Sequence, residues 1–468
     1  MPPLTALTDA RLHAEHAWLG HDSNRPDDNA PGGDGPGGLD RIAEDVLIEV
    51  VAGRIAAVTA GVRPAPADAL RLTGLTLPGL ANAHSHAFHR ALRGRTHRGR
   101  GTFWSWRDRM YEVAARLDPE SYLALARATY AEMALAGVTC VGEFHYLHHA
   151  PDGGRYADPN EMGTALVRAA AEAGIRITLL DTAYLTASVA GEPLTGPQRR
   201  FGDGDAARWA ERVAAFPTPA DHARLGAAIH SVRAVPAEQL PEVARWAEAA
   251  GAPLHVHLSE QRAENEACLA YHRRTPTALL ADAGALGPRT TAVHATHLTA
   301  ADRRALGGHG AGVCLCPTTE RDLADGIGPA RALADAGSPL SLGTDSHALI
   351  DLFEEARAVE LDERLRTEER GHFTPGELLR AAGPAGHAAL GWPDAGRIAP
   401  GARADLVTVR LDRVRTAGVP PIGAVFAATA ADVDHVMVDG RTVVRDGRHL
   451  TLDVPAELAR AIAAVVGP

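Results

Sequence analysis

Short apolar runs alternate with longer, Ala-rich amphipathic stretches along the central part of the chain. The amphipathic stretches at 121–137 and 241–251 end at Gly, which commonly follows the last turn of a helix. The short runs between them are typical of buried strands. We assign eight strands, at residues 75–82, 138–144, 175–181, 225–230, 253–258, 291–295, 312–316 and 339–344.

Eight strands that alternate with helices predict an α/β fold, a (β/α)8 barrel of the TIM type. In such a barrel the active site lies at the C-terminal ends of the strands. A doubly wound parallel sheet is the structural alternative. That sheet would not gather the first, fifth, sixth and eighth strands around one point, so the barrel is favoured.

Both chain ends carry a different pattern, in which hydrophobic and polar positions alternate. Residues 44–61 form two such runs around Gly53, and residues 433–447 form two more around the turn pair Asp439-Gly440. These patterns predict a small β-sandwich domain built from residues 1–74 and 396–468, with the barrel at 75–395. The Gly-, Pro- and Asp-rich segment 21–39 is predicted to be a disordered loop.

The composition is that of a soluble globular protein, with 22% charged and 46% hydrophobic residues in 468. No apolar run approaches the roughly 18 residues that span a bilayer, and no signal segment begins the chain. Four cysteines are too few for a disulfide framework in a chain of this length. We interpret the pair Cys314 and Cys316 as core residues. A cytoplasmic enzyme without a membrane partner is expected.

The charge balance excludes several classes of function. A net charge of −11 argues against a nucleic-acid partner, which would require a basic face. The sequence contains no lysine, so all 47 basic residues are arginines. Schiff-base chemistry, a phosphate-loop lysine and a metal bridge on a modified lysine are therefore excluded. For the oligomeric state we expect a homodimer, the commonest form of soluble homo-oligomer.

Histidines and carboxylates follow several of the predicted strands. With 23 histidines, a single His-x-His pair is expected about once by chance, so the pair at 84 and 86 is weak evidence by itself. In a strand, residues i and i+2 share a face, so both imidazoles can point at one ion. Imidazole and carboxylate are the usual ligands of catalytic zinc, although they also suit iron and manganese. The candidate residues are His84, His86, His257, Glu260, His294 and Asp345.

Several motifs resemble known sequences. LPGLANAHSHAFHRAL, HLSEQ, HATHL and LGTDSH are similar to the amidohydrolase superfamily, and the absence of lysine suits its mononuclear deaminases. FWSWRDRMY, EFHYLHH, HSVRAV and CPTTERDLADGIG resemble, more specifically, the N-formimino-L-glutamate deiminases of histidine degradation. That family converts formiminoglutamate to formylglutamate and ammonia.

The resemblance implies a role for each candidate. One Zn²⁺ would be bound by His84, His86, His257 and Asp345. Glu260 and His294, together with Asp345, would be catalytic. The substrate, a small dicarboxylate, would contact His89, Arg107, Tyr146, His230 and Arg233, and arginine binds a carboxylate through two parallel hydrogen bonds.

Two histidines leave questions open. The family pattern has Gln where this chain has His89, and an imidazole lacks the paired donor and acceptor of an amide. His255 shares a strand face with His257, so it either orients a ligand or packs in the barrel. Two other functions also stay open: a deaminase of a heterocyclic amine such as guanine or cytosine, and a non-catalytic metal-binding scaffold.

Overall fold

The structure is a computed structural model that describes residues 9–20, 41–97, 101–217 and 220–466. The segment 21–39, predicted to be a disordered loop, lies outside the described residues. Within the described ranges, every helix is too short or too polar to cross a lipid bilayer. The first four strands are β1 (Ala10–Trp18), β2 (Ile42–Val51), β3 (Arg54–Thr59) and β4 (Leu70–Pro78).

The next eight strands are parallel neighbours in one sheet that follows chain order, as the barrel requires. Seven of them coincide with predicted runs and β5 overlaps the end of the first run, so the TIM-type barrel is confirmed. They are β5 (Leu80–Ser85), β6 (Val138–His145), β7 (Arg176–Ala183), β8 (Ala223–Ile229), β9 (Leu254–Leu258), β10 (Thr290–His294), β11 (Gly312–Leu315) and β12 (Leu340–Leu342). A parallel bridge between Ser85 and Asp345 joins the first strand to the residues that follow the last one.

Four further strands from the C-terminal part complete the first sheet: β13 (Leu406–Val409), β14 (Val433–Val438), β15 (Arg441–Arg445) and β16 (Arg448–His449). Its order is β16-β15-β14-β13-β4-β1-β2-β3, so both chain ends form one small β-domain, as predicted. The hairpins at Gly53 and Gly440 are also confirmed. Each has positive φ at both turn residues, 48° and 74° at Ala52-Gly53 and 47° and 76° at Asp439-Gly440, the geometry that such tight turns require.

The run 75–82 is divided between the two sheets. Its first part belongs to β4, and its second part begins barrel strand β5 after Gly79. A Cβ at Gly79 would lie 2.3 Å from Oγ1 of Thr139, so only glycine fits at this crossing. Hydrophobicity is continuous through the crossing because both strands are buried. The pattern alone therefore does not mark the division.

The helices pack around the barrel and between its strands. Long amphipathic helices follow the predicted stretches, and α2 and α5 both begin with Pro in the first turn, a favourable position. The helices are α1 (Phe103–Ala114), α2 (Pro119–Leu135), α3 (Glu161–Ala173), α4 (Ala206–Ala214), α5 (Leu240–Ala249), α6 (Arg262–His272), α7 (Pro276–Asp282), α8 (Ala300–Gly308), α9 (Pro317–Asp322), α10 (Ala330–Asp335), α11 (Leu352–Thr367), α12 (Pro375–Arg380), α13 (Gly386–Ala389), α14 (Ala424–Ala427) and α15 (Val454–Val466).

A buried ion-pair network joins the barrel to the small sheet. Arg176, at the start of β7, is fully buried, and its Nη1 lies 3.0 Å from Oδ1 of Asp405 and 3.0 Å from Oδ2 of Asp439. Arg403 pairs with the other oxygen of Asp439 at 2.9 Å. Because these charges are removed from water, each one needs its oppositely charged partners to offset the free-energy cost of burial.

We expect Arg176→Met to lower the free energy of unfolding by about 3–5 kcal/mol, because it leaves buried Asp405 without its cation. The matched control is Arg168→Met, since Arg168 is exposed and pairs only with Glu172. That change should cost at most about 1 kcal/mol. Urea unfolding of both variants measures the difference, and equal losses would contradict the role given to Arg176.

Candidate active site

Four predicted ligands meet at the C-terminal end of the barrel. Nε2 of His84 and Nε2 of His86 each lie 3.3 Å from Oδ1 of Asp345. Nε2 of His257 lies 3.1 Å from Nε2 of His84. The four side chains are buried. The possible ligand atoms of His84, His257 and Asp345 lie within 4.8 Å of one another together with that of His294, and those of His86 and Asp345 do so together with that of His89. The strand ends thus bring together three imidazoles and one carboxylate that are up to about 260 positions apart in the chain.

Backbone carbonyl groups orient two of these imidazoles. Nδ1 of His86 donates to the carbonyl of Phe144 at 3.0 Å, and Nδ1 of His257 donates to the carbonyl of His230 at 2.9 Å. A proton on Nδ1 leaves Nε2 with a free lone pair that faces the cluster. Burial lowers the pKa of both imidazoles well below the usual value, so both are neutral. Neutral imidazoles of this orientation are suited to metal binding.

Asp345 is held in an unusual backbone conformation. Its φ is 39°, in the left-handed region that non-glycine residues rarely adopt. Its backbone N–H donates to the carbonyl of His84 at 3.0 Å, and its carbonyl accepts from the N–H of His86 at 3.3 Å. Burial alone would raise the pKa of Asp345, but hydrogen bonding with His84 holds it well below the usual range. The carboxylate is therefore ionised beside the imidazoles.

His294 differs from His84, His86 and His257 in the direction in which its surroundings shift its pKa. Its Nδ1 lies 3.3 Å from Oε1 of Glu320, and its Nε2 lies 3.8 Å from Oδ2 of Asp345. Burial opposes a charged imidazole, but Glu260 and Glu320 raise the pKa of His294 well above its usual value. Its φ is 67°, again in the left-handed region. A protonated His294 is a hydrogen-bond donor at the edge of the cluster, which suits an acid better than a metal ligand.

Glu260 lies directly beyond β9, and its carboxyl group lines the cavity in front of the cluster. Burial raises its pKa above the usual value for a glutamic acid. A carboxyl group whose pKa is raised toward neutrality can both accept and release a proton during a reaction. The structure thus places Glu260 beside the cluster with the properties of a proton carrier.

A cavity of about 230 Å³ opens in front of the cluster. Every predicted substrate contact lines it, namely His89, Arg107, Tyr146, His230 and Arg233. Of the predicted metal-binding and catalytic residues, all except His84 line it as well, and His84 lies behind His257 and Asp345. The structure therefore brings all eleven predicted site residues to one place.

Two arginines enter the cavity without a carboxylate partner. Nη1 of Arg233 donates to the hydroxyl of Tyr184 and to the carbonyl of Ala187, both at 3.3 Å. The guanidinium of Arg107 lies 4.4 Å from the ring centre of Trp104, and its buried Nε has no hydrogen-bond partner. Neither arginine forms an ion pair within the part of the chain that the structure describes. Both guanidinium groups thus line the cavity without a direct ion pair, although Glu260 and Glu264, which also line it, act electrostatically on Arg233.

The two ambiguous histidines occupy different places. His89 is buried, and its Nε2 lies 3.1 Å from the hydroxyl of Tyr146, so these two residues form one polar unit on the cavity wall. Nε2 of His255 instead donates to the carbonyl of Ala389 at 3.1 Å, and His255 does not line the cavity. His255 is therefore a packed barrel histidine. Cys316 and its neighbour Cys314 are free and buried in the core, as interpreted.

Sequence reasoning missed the residues that support the cluster from behind. Glu143 accepts from the hydroxyl of Ser85 and from the N–H of Ala87, both at 2.7 Å, and so fixes the loop that carries His86. Burial raises the pKa of Glu143 to about 7. Glu320 was also missed as the partner of His294. Both glutamates lie within motifs that resembled known sequences, but no local pattern indicated what they would contact.

Comparisons with known proteins agree with this geometry. The model of the amidohydrolase family matches residues 75–443. The chain is 40% identical to formimidoylglutamate deiminase of Pseudomonas aeruginosa, over 88% of this chain and 93% of that protein. It is similar in structure to an amidohydrolase from Brucella melitensis, with a TM-score of 0.86, 33% identity and coverage of 98% and 100%. An adenosine deaminase from Xanthomonas campestris with bound zinc has a TM-score of 0.79 at 25% identity, with coverage of 97% of each chain.

Proposed function

Because this chain belongs to the amidohydrolase family, we propose that it is a metal-dependent deiminase that converts N-formimino-L-glutamate to N-formyl-L-glutamate and ammonia. The two cavity arginines, Arg107 and Arg233, which form no direct ion pair among the described residues, carry this proposal. Two guanidinium groups in a cavity of about 230 Å³ match a small acyclic substrate with two carboxylates. The similarity to a formimidoylglutamate deiminase supports the same substrate.

The donor set fits a single divalent ion. His84, His86, His257 and Asp345 would bind it through three neutral imidazoles and one carboxylate, a combination that suits catalytic zinc. The zinc-bound adenosine deaminase of similar fold supports this choice of metal. When bound, the ion supplies the Lewis acidity that makes water nucleophilic near neutral pH.

The protein side chains account for the proton movements. Glu260 accepts a proton from the water molecule as its oxygen attacks the formimino carbon. Glu260 then delivers that proton to the terminal nitrogen of the substrate amidinium. Asp345 takes the second water proton, from the hydroxyl group of the adduct, as the carbon–oxygen double bond forms, the carbon–nitrogen bond breaks and ammonia leaves, and it passes this proton to solvent. His294 stabilises the oxygen that develops negative charge, through a hydrogen bond from its imidazolium. The remaining carbon–oxygen double bond is that of the formyl group.

The remaining cavity residues hold the substrate. Arg107 and Arg233 bind its two carboxylates, while His230 and Tyr146 enclose the chain between them. His89, hydrogen-bonded to Tyr146, occupies the place of the glutamine in the family pattern and offers one hydrogen bond through its imidazole. A flat base such as guanine or cytosine would leave both guanidinium groups without an anion, which makes a heterocyclic substrate the weaker candidate.

Ammonia release from N-formimino-L-glutamate, guanine and cytosine tests the proposal on the metal-loaded protein. We expect turnover of the first compound alone. Turnover of only the bases would support the heterocyclic alternative, and turnover of none, with one metal per chain, would support a non-catalytic scaffold.

We expect Arg233→Met to lower kcat/KM for N-formimino-L-glutamate by about 10- to 150-fold. This range corresponds to the loss of a charge-assisted hydrogen bond that contributes about 1.5–3 kcal/mol. Methionine keeps the length of the side chain and removes the cation. The matched control is Arg109→Met, because Arg109 is an exposed residue of α1 that pairs with Glu112. Steady-state kinetics of both variants measure the effect. An equal loss of kcat/KM in both variants, or no loss in either, would contradict the role of Arg233.

A further inference from the structure

A buried arginine behind the cavity wall joins two of the elements that form this wall. Arg200 is the last residue of the 3₁₀ helix Gly196–Arg200 and is fully buried. Its Nη2 donates to the carbonyl of Leu117 at 2.8 Å, and its Nη1 donates to the carbonyl of Ala114, the last residue of α1. Its Nε donates to the carbonyl of His149 at 3.0 Å. The guanidinium group therefore connects the end of α1 to the loop that follows β6.

The backbone of Arg200 strengthens the attachment to this loop. Its carbonyl accepts hydrogen bonds from the N–H groups of His148 and His149, at 3.1 and 3.0 Å. The next residue, Phe201, lines the cavity, and its ring packs against that of Tyr146 at 5.1 Å between ring centres. Arg200 is thus bound firmly to the loop that carries Tyr146.

The acceptors of the Arg200 side chain are all backbone carbonyl groups. Within the part of the chain that the structure describes, Arg200 forms no ion pair, and Asp118, the N-cap of α2, acts on it only as a nearby charge. The carbonyl end of a helix carries partial negative charge and lacks intrahelical donors. A planar guanidinium group supplies several donors in fixed directions, which an ammonium group cannot do. Arginine is therefore well suited to fasten the end of α1.

The helix that Arg200 fastens forms one wall of the cavity and carries Arg107. Arg107 lies two helical turns before Ala114, about 10 Å along the helix axis. A second contact, from Nη1 of Arg116 to the carbonyl of Val465 at 3.2 Å, ties the same end of α1 to α15. Of these two contacts, the one made by Arg200 leads to the barrel, because β6 is a barrel strand.

We propose that Arg200 is a positioning residue, which fixes α1 against the barrel and so holds Arg107 where a substrate carboxylate binds. This inference rests on the proposed function, since that function makes Arg107 a carboxylate ligand. Without the contacts of Arg200, substrate binding would have to order α1, which lowers affinity. Arg107 holds a carboxylate that does not react, so the loss should affect KM and leave kcat nearly unchanged.

Steady-state kinetics of the metal-loaded protein test this role. Arg200→Met should raise KM for N-formimino-L-glutamate about tenfold and leave kcat within about threefold. Arg200→Lys keeps the cation and part of the hydrogen bonding, so its KM should rise only about threefold. The matched control is Arg199→Met, because Arg199 is the exposed neighbour in the same 3₁₀ helix. If Arg200→Met does not fold, Arg200→Lys decides, and an unchanged KM in Arg200→Lys then overturns the inference.

The dependence on Arg107 separates positioning from a merely structural role. In an Arg107→Met background, Arg200→Met should raise KM by less than about twofold, because the side chain through which Arg200 acts is absent. A tenfold rise in both backgrounds overturns the inference. Hydrogen exchange gives a second readout, in which the amides of α1 should exchange faster in Arg200→Met while those of α5 stay unchanged. Equally fast exchange in both helices also overturns the inference, since it indicates a general loss of stability.

Binding of N-formyl-L-glutamate, measured by calorimetry on the metal-loaded protein, distinguishes this inference from the proposed reaction. Arg200→Met should weaken the binding about tenfold, the equivalent of about 1.4 kcal/mol, and only while Arg107 is present. That result in a protein that releases no ammonia from N-formimino-L-glutamate contradicts the proposed function and supports the inference. Release of ammonia with an unchanged KM in both Arg200 variants supports the proposed function and overturns the inference.

Discussion

Replacing Glu260 with Gln is expected to lower kcat for ammonia release by about 10²- to 10⁴-fold, the usual contribution of a positioned general acid–base group. Gln has nearly the same shape as Glu and can still form hydrogen bonds. It cannot accept the proton of the attacking water or deliver one to the leaving nitrogen. The change therefore removes the proton transfer and leaves the cavity intact.

The structure supports a large effect because Glu260 lines the cavity two residues beyond β9 and interacts electrostatically with both His294 and Asp345. Glu260 is also outside the proposed ligand set, so the variant should retain one metal per chain. Glu266→Gln is the matched control, since Glu266 is an exposed residue of the adjacent helix α6. Metal analysis and steady-state kinetics should be made on the same preparations. Undiminished turnover in a metal-loaded Glu260→Gln variant would refute the role given to Glu260.

Loss of the metal is the second large effect that we expect. His257→Ala should purify with far less than one divalent ion per chain, because the set of four side-chain ligands loses one imidazole. The variant should retain less than about a hundredth of the wild-type kcat/KM, because the activated water is lost with the metal. Dialysis of the wild type against a chelator should have the same effect, reversed by added Zn²⁺. Comparison of Zn²⁺ with Fe²⁺ and Mn²⁺ in that reconstitution identifies the metal that supports turnover.

His255 supplies a closely matched control for this experiment. It lies two residues before His257 in the same strand and is equally buried, but its imidazole donates to the carbonyl of Ala389. His255→Gln should therefore keep its metal and its activity. Loss of metal in both variants would indicate a general disturbance of β9, and full metal content in His257→Ala would exclude His257 as a ligand.

The barrel was predictable from the sequence because its signals are local. Each strand is a short apolar run, and helices such as α2 and α5 are Ala-rich stretches that are closely followed by a glycine. The first strand shows where this reasoning ends. The apolar run continues through Gly79, yet the chain passes there from one sheet to the other, since both sheets bury their strands.

The meeting of the proposed metal ligands was predictable for a related reason. His84 and His257 lie at the C-terminal ends of their strands, His86 and Asp345 follow theirs, and the C-terminal ends of all barrel strands meet on one face. Knowledge of the fold class alone was enough to place them together. Their orientation was not predictable, because it depends on the carbonyl groups of Phe144 and His230 in neighbouring strands.

The sequence by itself determined the class of fold, because periodicity is a property of short segments, and its motifs nominated the candidate ligands and the arginines of the cavity through their resemblance to a known family. Only the tertiary structure decided which groups surround them. Glu320 is 26 positions from His294, and Tyr184 is 49 positions from Arg233, and neither pair has a spacing that a helix or strand would reveal. These contacts determine the charge of His294 and the direction of the Arg233 side chain, and they exist only when distant strands are packed side by side.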